Sequence, residues 1–185
     1  YRFVFAKATE DQDYIDPTYG TNRVDANAAG MVVGAYHYAR PDNSTDDALK
    51  EADHFVDTAL PTPGDLKPVI DLEDSGGLGV APLTAWLWAW LGEVQAKTGV
   101  KAIIYTSPNF WQTHMGNTDA FAKGGYSLLW IAHWFVPKPT VPGSNWGGHG
   151  WTFWQLDDCL QVPGIGGCVD GDVYNGINLD PTRIP

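Results

Sequence analysis

Asp71 and Glu73 stand one residue apart in "KPVIDLEDSGG" (67–77), directly after the apolar pair Val69-Ile70. Side chains alternate along a strand, so both carboxyls project to one side with Leu72 opposite. Two acids on one face repel each other and lose hydration. Both effects disfavour double ionisation, so one of the two pKa values should rise. A carboxylic acid still protonated near neutral pH is a general acid. A solvated strand end, with Asp74 capping the next turn, produces the same spacing, and D-x-E alone does not choose between them.

Other residues narrow the chemistry. Asp71, Glu73 and Asp170 offer the oxygen ligands that a hard cation takes. His37, His54, His114, His133 and His149 form neither H-x-x-x-H nor H-E-x-x-H, which argues against a zinc hydrolase. Metal-independent carboxylate chemistry fits better. The chain is also rich in aromatics, with nine Trp, eight Tyr and seven Phe. Trp86, Trp88 and Trp90 read as helix packing. Trp134 instead ends a strand-like run, and Tyr36 and Tyr105 lie at comparable heights on theirs. Flat rings beside carboxylates and the amide of Gln155 suit a sugar, which presents apolar C–H faces and hydroxyl edges.

These side chains need strands to carry them. Strand-like runs occur at 2–9, 31–39, 68–73, 101–107, 127–134, 150–156 and 168–174. Helical patterns fall at 22–30, ending at Gly30, at 43–60, at 81–99, ending at Gly99, and within 108–123. Ser44 and Asp47 have the spacing of a capping box. Residues 137–145 read as a loop. Strands alternating with helices predict β-α-β units and a parallel sheet, and the near-continuous apolar strands predict cover on both faces. The natural candidate is a closed barrel with catalytic groups at the C-terminal strand ends. The last three strands have little between them to form helices.

Composition sets the outer bounds. A length of 185 residues with 44% hydrophobic content fits one domain, 1–185. A net charge of −11 disfavours a nucleic-acid partner. No apolar run reaches the roughly 18 residues of a membrane span. Cys159 and Cys168 flank the Gly/Pro-rich "LQVPGIGG", and an oxidised pair is favoured over free thiols. Closing that loop would stabilise by about 2–3 kcal/mol and would point to an extracellular setting. A monomer is the default expectation.

Seven runs, in order, resemble the glycoside hydrolase family 25 lysozymes, the N,O-diacetylmuramidases of Chalaropsis type: "FVFAKATE", "AAGMVVGAYHYARP", "PVIDLE", "TGVKAIIYTSPNFW", "LWIAHW", "WTFWQ" and "VDGDVYNG". The resemblance covers essentially the whole chain. It implies an irregular, TIM-like α/β barrel with helices after the early strands. It also implies hydrolysis of the β-1,4 bond between N-acetylmuramic acid and N-acetylglucosamine in peptidoglycan, without a cofactor, by a protein secreted or delivered to the cell wall. By motif, Glu73 would be the general acid, Asp71 would steady the substrate's acetamido group, and Asp170 would be the later acid. Tyr36, Tyr105, Trp134 and Gln155 would line the substrate groove. Three departures stand out. The family's first strand with its D-V-S-like motif has no counterpart here, so the chain is expected to be N-terminally incomplete. Asp11 follows "KATE" where glycine is usual, which predicts an altered loop near Glu10. Asp157 and Asp158 in "WQLDD" change the charge after Trp-Gln.

Overall fold

A computed structural model describes residues 1–185. It is a mixed α/β fold with strand order β2-β1-β3-β4-β5-β6-β7-β8, formed by two compact units: residues 1–103 with 178–185, and residues 104–177.

The first unit opens with β1 (Phe3–Glu10), a two-residue β2 (Tyr14–Ile15) and α1 (Tyr19–Ala28). Next come β3 (Val32–Tyr38), α2 (Asp47–Ala59), β4 (Val69–Asp71) and α3 (Val80–Thr98). β3 runs parallel to both β1 and β4, whereas β2 is antiparallel to β1. The added strand β2 brings the chain to eight strands where the hydrophobic pattern suggests seven; two exposed residues are too short to leave a periodic signal. Parallel strands of this kind are buried on both faces, and Val69 and Ile70 are fully buried. The helical cover is α2 and α3, through Ala52, Phe55, Leu83, Leu87, Trp90, Leu91 and Val94. Trp88 is only half-buried, unlike Trp86 and Trp90. Gly30 and Gly99 both follow helices at positive φ, the expected way to close them.

The capping box does not form. Asp46, not Ser44, precedes α2, and no side chain caps it. Ser44 instead bonds to Asp42, and Asp47 is drawn inward. Its carboxylate accepts from Gln12 Nε2 at 2.6 Å, from Trp86 Nε1 at 2.7 Å and from the Asp42 amide at 3.0 Å. Tertiary partners thus outweigh a local cap.

The second unit holds most of β5 (Ile103–Thr106), then α4 (Pro108–His114), α5 (Ala120–Lys123) and β6 (Leu129–Ala132). A short turn α6 (Pro142–Gly147), β7 (Phe153–Gln161) and β8 (Cys168–Tyr174) complete it. β5, β6 and β7 are parallel, and β7 and β8 form an antiparallel hairpin closed by the Cys159–Cys168 disulfide. The region read as a loop at 137–145 runs into α6, whose residues Gly143–Trp146 have φ between 52° and 59°. This is a left-handed turn, which helix periodicity does not reveal. Trp146 anchors it, fully buried, with its indole donating to the Tyr126 carbonyl at 2.9 Å.

Candidate active site

In the first unit, the C-terminal ends of three strands come level. Glu10 pairs in register with Tyr38, and Tyr38 with Asp71. Asp71 is the last residue of β4 and is buried. Leu72, on the opposite side, is fully buried and anchors the strand end. Glu73 is exposed, just past the strand, so the strand is shorter than the 68–73 pattern suggests. The D-x-E pair therefore splits into one buried and one open carboxyl.

Tyr38 reports on both acids. Burial raises its phenol pKa above the ordinary value, and the charges of Glu73 and Asp71 raise it further. Tyr36, expected at the groove, lies on the same face of β3 but opposite Val69, one pleat before the acids. Tyr38 was visible in "YHYARP", yet only the strand register distinguishes the two.

The segment after Glu73 is held by charge and by shape. Arg40 donates to Glu10 Oε1 and to Asp74 Oδ2, both at 2.7 Å, and its guanidinium lies 4.6 Å from the centre of the Tyr38 ring. Burial would raise the Glu10 pKa, but hydrogen bonds from Lys7 and Arg40 outweigh it and hold the carboxyl below its usual range. The Gly76 amide and Arg40 do the same for Asp74. Exposed ion pairs contribute little stability, so this cluster matters for placement. Gly76 has φ +56°, and a Cβ there would sit 1.5 Å from the Pro41 carbonyl oxygen. Only glycine lets the turn after Glu73 lie against Arg40-Pro41.

Asp11, in the "KATE" loop, has φ 55°. That is the left-handed region, which glycine adopts freely and aspartate tolerates better than most residues.

Behind these strand ends lies a buried polar relay. His37 Nδ1 is 2.8 Å from Thr9 Oγ1, and His37 Nε2 is 2.7 Å from Glu51 Oε2. The imidazole packs against Phe55 and stacks on Trp90. Burial pushes the His37 pKa down to about 3 and the Glu51 pKa up to about 9. At neutral pH both are uncharged: Glu51 donates its proton to Nε2, and Nδ1–H donates to Thr9. The Arg40 amide also donates to Glu51, at 3.2 Å, so the relay reaches the residue that holds the site.

In the second unit, Gln155 on β7 gathers three expected residues. Its Oε1 accepts from Tyr105 O–H at 3.0 Å and from Trp134 Nε1 at 2.8 Å. An indole N–H can only donate, which fixes the amide orientation and leaves Nε2 as a donor. Trp134 is 42% exposed and can present its ring outward while its N–H is anchored.

Asp172, two positions from Asp170, is the more enclosed acid of the hairpin. It sits opposite Gln155 in the β7–β8 register and accepts from Trp130 Nε1 at 2.7 Å. Trp130 in turn packs edge-on against Tyr105, with centroids 4.6 Å apart. Burial pushes the Asp172 pKa up to about 7, the Trp130 bond opposes this, and the charge of Asp170 adds to it. Asp170 itself is exposed on the hairpin, with its pKa raised by partial desolvation and by Asp158 and Asp157. Both acids stand in "CVDGDVY"; only the tertiary partner separates them. No group of three or more His, Cys, Asp or Glu side chains is arranged to hold a metal ion.

Comparison with known proteins places these features in context. Residues 1–165 match the profile of Glycosyl hydrolases family 25. The chain is 36% identical over 183 residues to lysozyme M1 of Streptomyces globisporus, covering 94% of this chain and 60% of that protein. It is 32% identical over 190 residues to the N,O-diacetylmuramidase of Chalaropsis sp, covering 94% and 85%. Among solved structures, the bacterial lysozyme from Streptomyces coelicolor superposes with a TM-score of 0.84 at 32% identity, covering 95% of this chain and 82% of that one. The chain thus spans about 60% of the length of some relatives and most of others.

Proposed function

We propose an activity from one premise: the chain belongs to the glycosyl hydrolases of family 25. The reaction is hydrolysis of the β-1,4 bond between N-acetylmuramic acid and N-acetylglucosamine in bacterial peptidoglycan. Relatives named lysozyme and N,O-diacetylmuramidase support that substrate. The observation that carries the chemistry is the split D-x-E pair, with Asp71 buried at the end of β4 and Glu73 exposed beside it.

Glu73, the open carboxyl, protonates the leaving glycosidic oxygen as general acid. The substrate's own 2-acetamido oxygen attacks the anomeric carbon, and Asp71 accepts the acetamido N–H and steadies the positive charge that develops there. Water then attacks the anomeric carbon and opens the cyclic intermediate, and Glu73, now a carboxylate, takes a proton from that water. Substrate assistance of this kind departs from the scheme with a protein nucleophile. Trp134 offers its exposed ring face to the sugars; Tyr36, Tyr105 and Gln155 belong to the same groove, the last two buried and placing Trp134 through the Gln155 amide. The family motif implies Asp170 as the later acid; Asp172, opposite Gln155 and bonded to the Trp130 indole, is the stronger candidate for that role. The scheme uses no cofactor. The irregular β/α barrel, a single catalytic domain over 1–185, a monomeric state and action outside the cell belong to the same reading.

The test is turnover of purified peptidoglycan by the wild type and by Glu73→Gln. New reducing ends on muramic acid from the wild type, reduced at least a hundredfold in the folded variant, support the assignment. Equal turnover by the two contradicts it.

A further inference from the structure

Phe135 combines two features that a folding argument does not account for. Its side chain is 79% exposed, among the largest apolar exposures in the chain. Its φ is 55°, in the left-handed region that glycine tolerates and bulky residues avoid. Leu60 is also exposed with a positive φ, but there the conformation closes α2, with its N–H bonded to the Val56 carbonyl. Phe135 closes no helix. It sits in the segment after β6, where its N–H donates to the Leu156 carbonyl at 3.4 Å, beyond the pairing of Ala132 with Gln155. The backbone is thus held in a conformation unfavourable for phenylalanine, and the ring gains little burial in return. Backbone strain that is kept without a packing reason is characteristic of ligand-contacting positions.

The neighbours indicate the ligand. Trp134 precedes it, 42% exposed, with its indole fixed by Gln155, which also holds Tyr105. Two consecutive open aromatics at the end of one parallel strand extend an apolar rim next to that polar cluster. We propose that Phe135 is a specificity-determining residue that stacks on the C–H face of an N-acetylhexosamine ring in the glycan strand, next to the sugar contacted by Trp134. The assignment rests on the glycan-cleaving function proposed above. The sugar, not the stem peptide, is the occupant, because two consecutive exposed rings match the apolar C–H faces of pyranoses, while the nearby amide of Gln155 and phenol of Tyr105 are buried and bonded to each other.

Strain and binding give opposite signs in one substitution. Phe135→Gly relieves the left-handed backbone and should raise Tm by roughly 2–4 °C. The same change removes the ring and should raise KM on stem-free glycan strands by roughly 3–10-fold, the range of one aromatic contact, with kcat within about twofold. Phe135→Ala should show the same KM rise without the gain in Tm, and Phe135→Tyr should restore the wild-type KM. Binding constants for stem-free strands, measured in a Glu73→Gln background, should follow the KM series. Unchanged KM and Kd in both Phe135→Gly and Phe135→Ala would overturn the proposal, as would a loss confined to strands that still carry stem peptides. The underlying reading fails separately: a wild type that binds strands without releasing reducing ends refutes the role of Glu73, while the Kd series still decides Phe135. A wild type that does neither refutes both.

Discussion

Asp172 and Asp170 differ by two positions, and nothing in their local sequence ranks them. Their difference lies 42 residues away, in the Trp130 indole that reaches Asp172. A long-range partner of this kind leaves no periodic signal, so a motif match could find an acid in this stretch without finding which one is enclosed. The structure makes the ranking testable. Asp172→Asn should lower kcat/KM on peptidoglycan by at least about tenfold, and Asp170→Asn by less than about threefold; the reverse order would return the role to Asp170. A second reading comes from stability. The Asp172 pKa is raised to about 7 from 3.8, so its contribution is complete below 3.8 and is lost as pH rises through 7. Asparagine mimics the protonated form, so the Tm of the variant relative to wild type should grow more favourable between pH 4 and pH 7. Asp11 offers a simpler case. Its φ of 55° lies in the left-handed region that glycine adopts without strain. Asp11→Gly should therefore stabilise by about 1 kcal/mol in chemical denaturation. A loss of stability would mean that the side chain does more than tolerate its backbone.

Elements were easier to read than their ends. Helix periodicity located α3 to within a residue, because Leu83, Leu87, Trp90, Leu91 and Val94 all face one core and Gly99 marks the stop. The start of α2 was displaced, because Asp47 is taken by Trp86 and Gln12, partners far away in the chain. β4 was overextended, because an anchored Leu72 preserves strand-like alternation after the hydrogen-bonded ladder has ended. The relay linking β1, β3 and α2 gives a prediction at this scale. His37 is depressed to about 3 from 6.5, so its contribution to stability is present above 6.5 and lost as pH falls through 3. Glu51 is raised to about 9 from 4.5, so its contribution is present below 4.5 and lost as pH rises through 9. Between 4.5 and 6.5 the two slopes oppose each other, and stability should be flat there and fall on either side. The groups that act on the pair are His54 and Lys7 on the histidine, and Asp47, Asp11 and Asp42 on the glutamate. Glu51→Gln keeps a donor for His37 Nε2 and removes the titration. Thermal unfolding scans should then lose most of the decline between pH 6.5 and pH 9. An alkaline decline as steep as that of wild type would place its cause elsewhere.

The molecule as a whole was legible in its order of elements. A mixed α/β pattern and a cysteine pair closing one hairpin both reappear, the second as the Cys159–Cys168 disulfide. Less legible were features whose signal is conformational: the left-handed turn at α6, the two-residue β2 and the strained exposure of Phe135. An acidic protein with a net charge of −11 gains little from long-range attraction to anionic polymers. In the proposed function, grip on a glycan strand comes from short-range contacts such as the exposed ring of Trp134. The central claim is that the strand ending in Asp71 delivers Glu73 to a glycosidic bond. Its most direct test is digestion of N-acetylated peptidoglycan, followed by borohydride reduction and mass spectrometry of the new ends. The account predicts muramitol ends from the wild type and almost none from folded Glu73→Gln. Glucosaminitol ends, or muramitol ends undiminished in the variant, would contradict it.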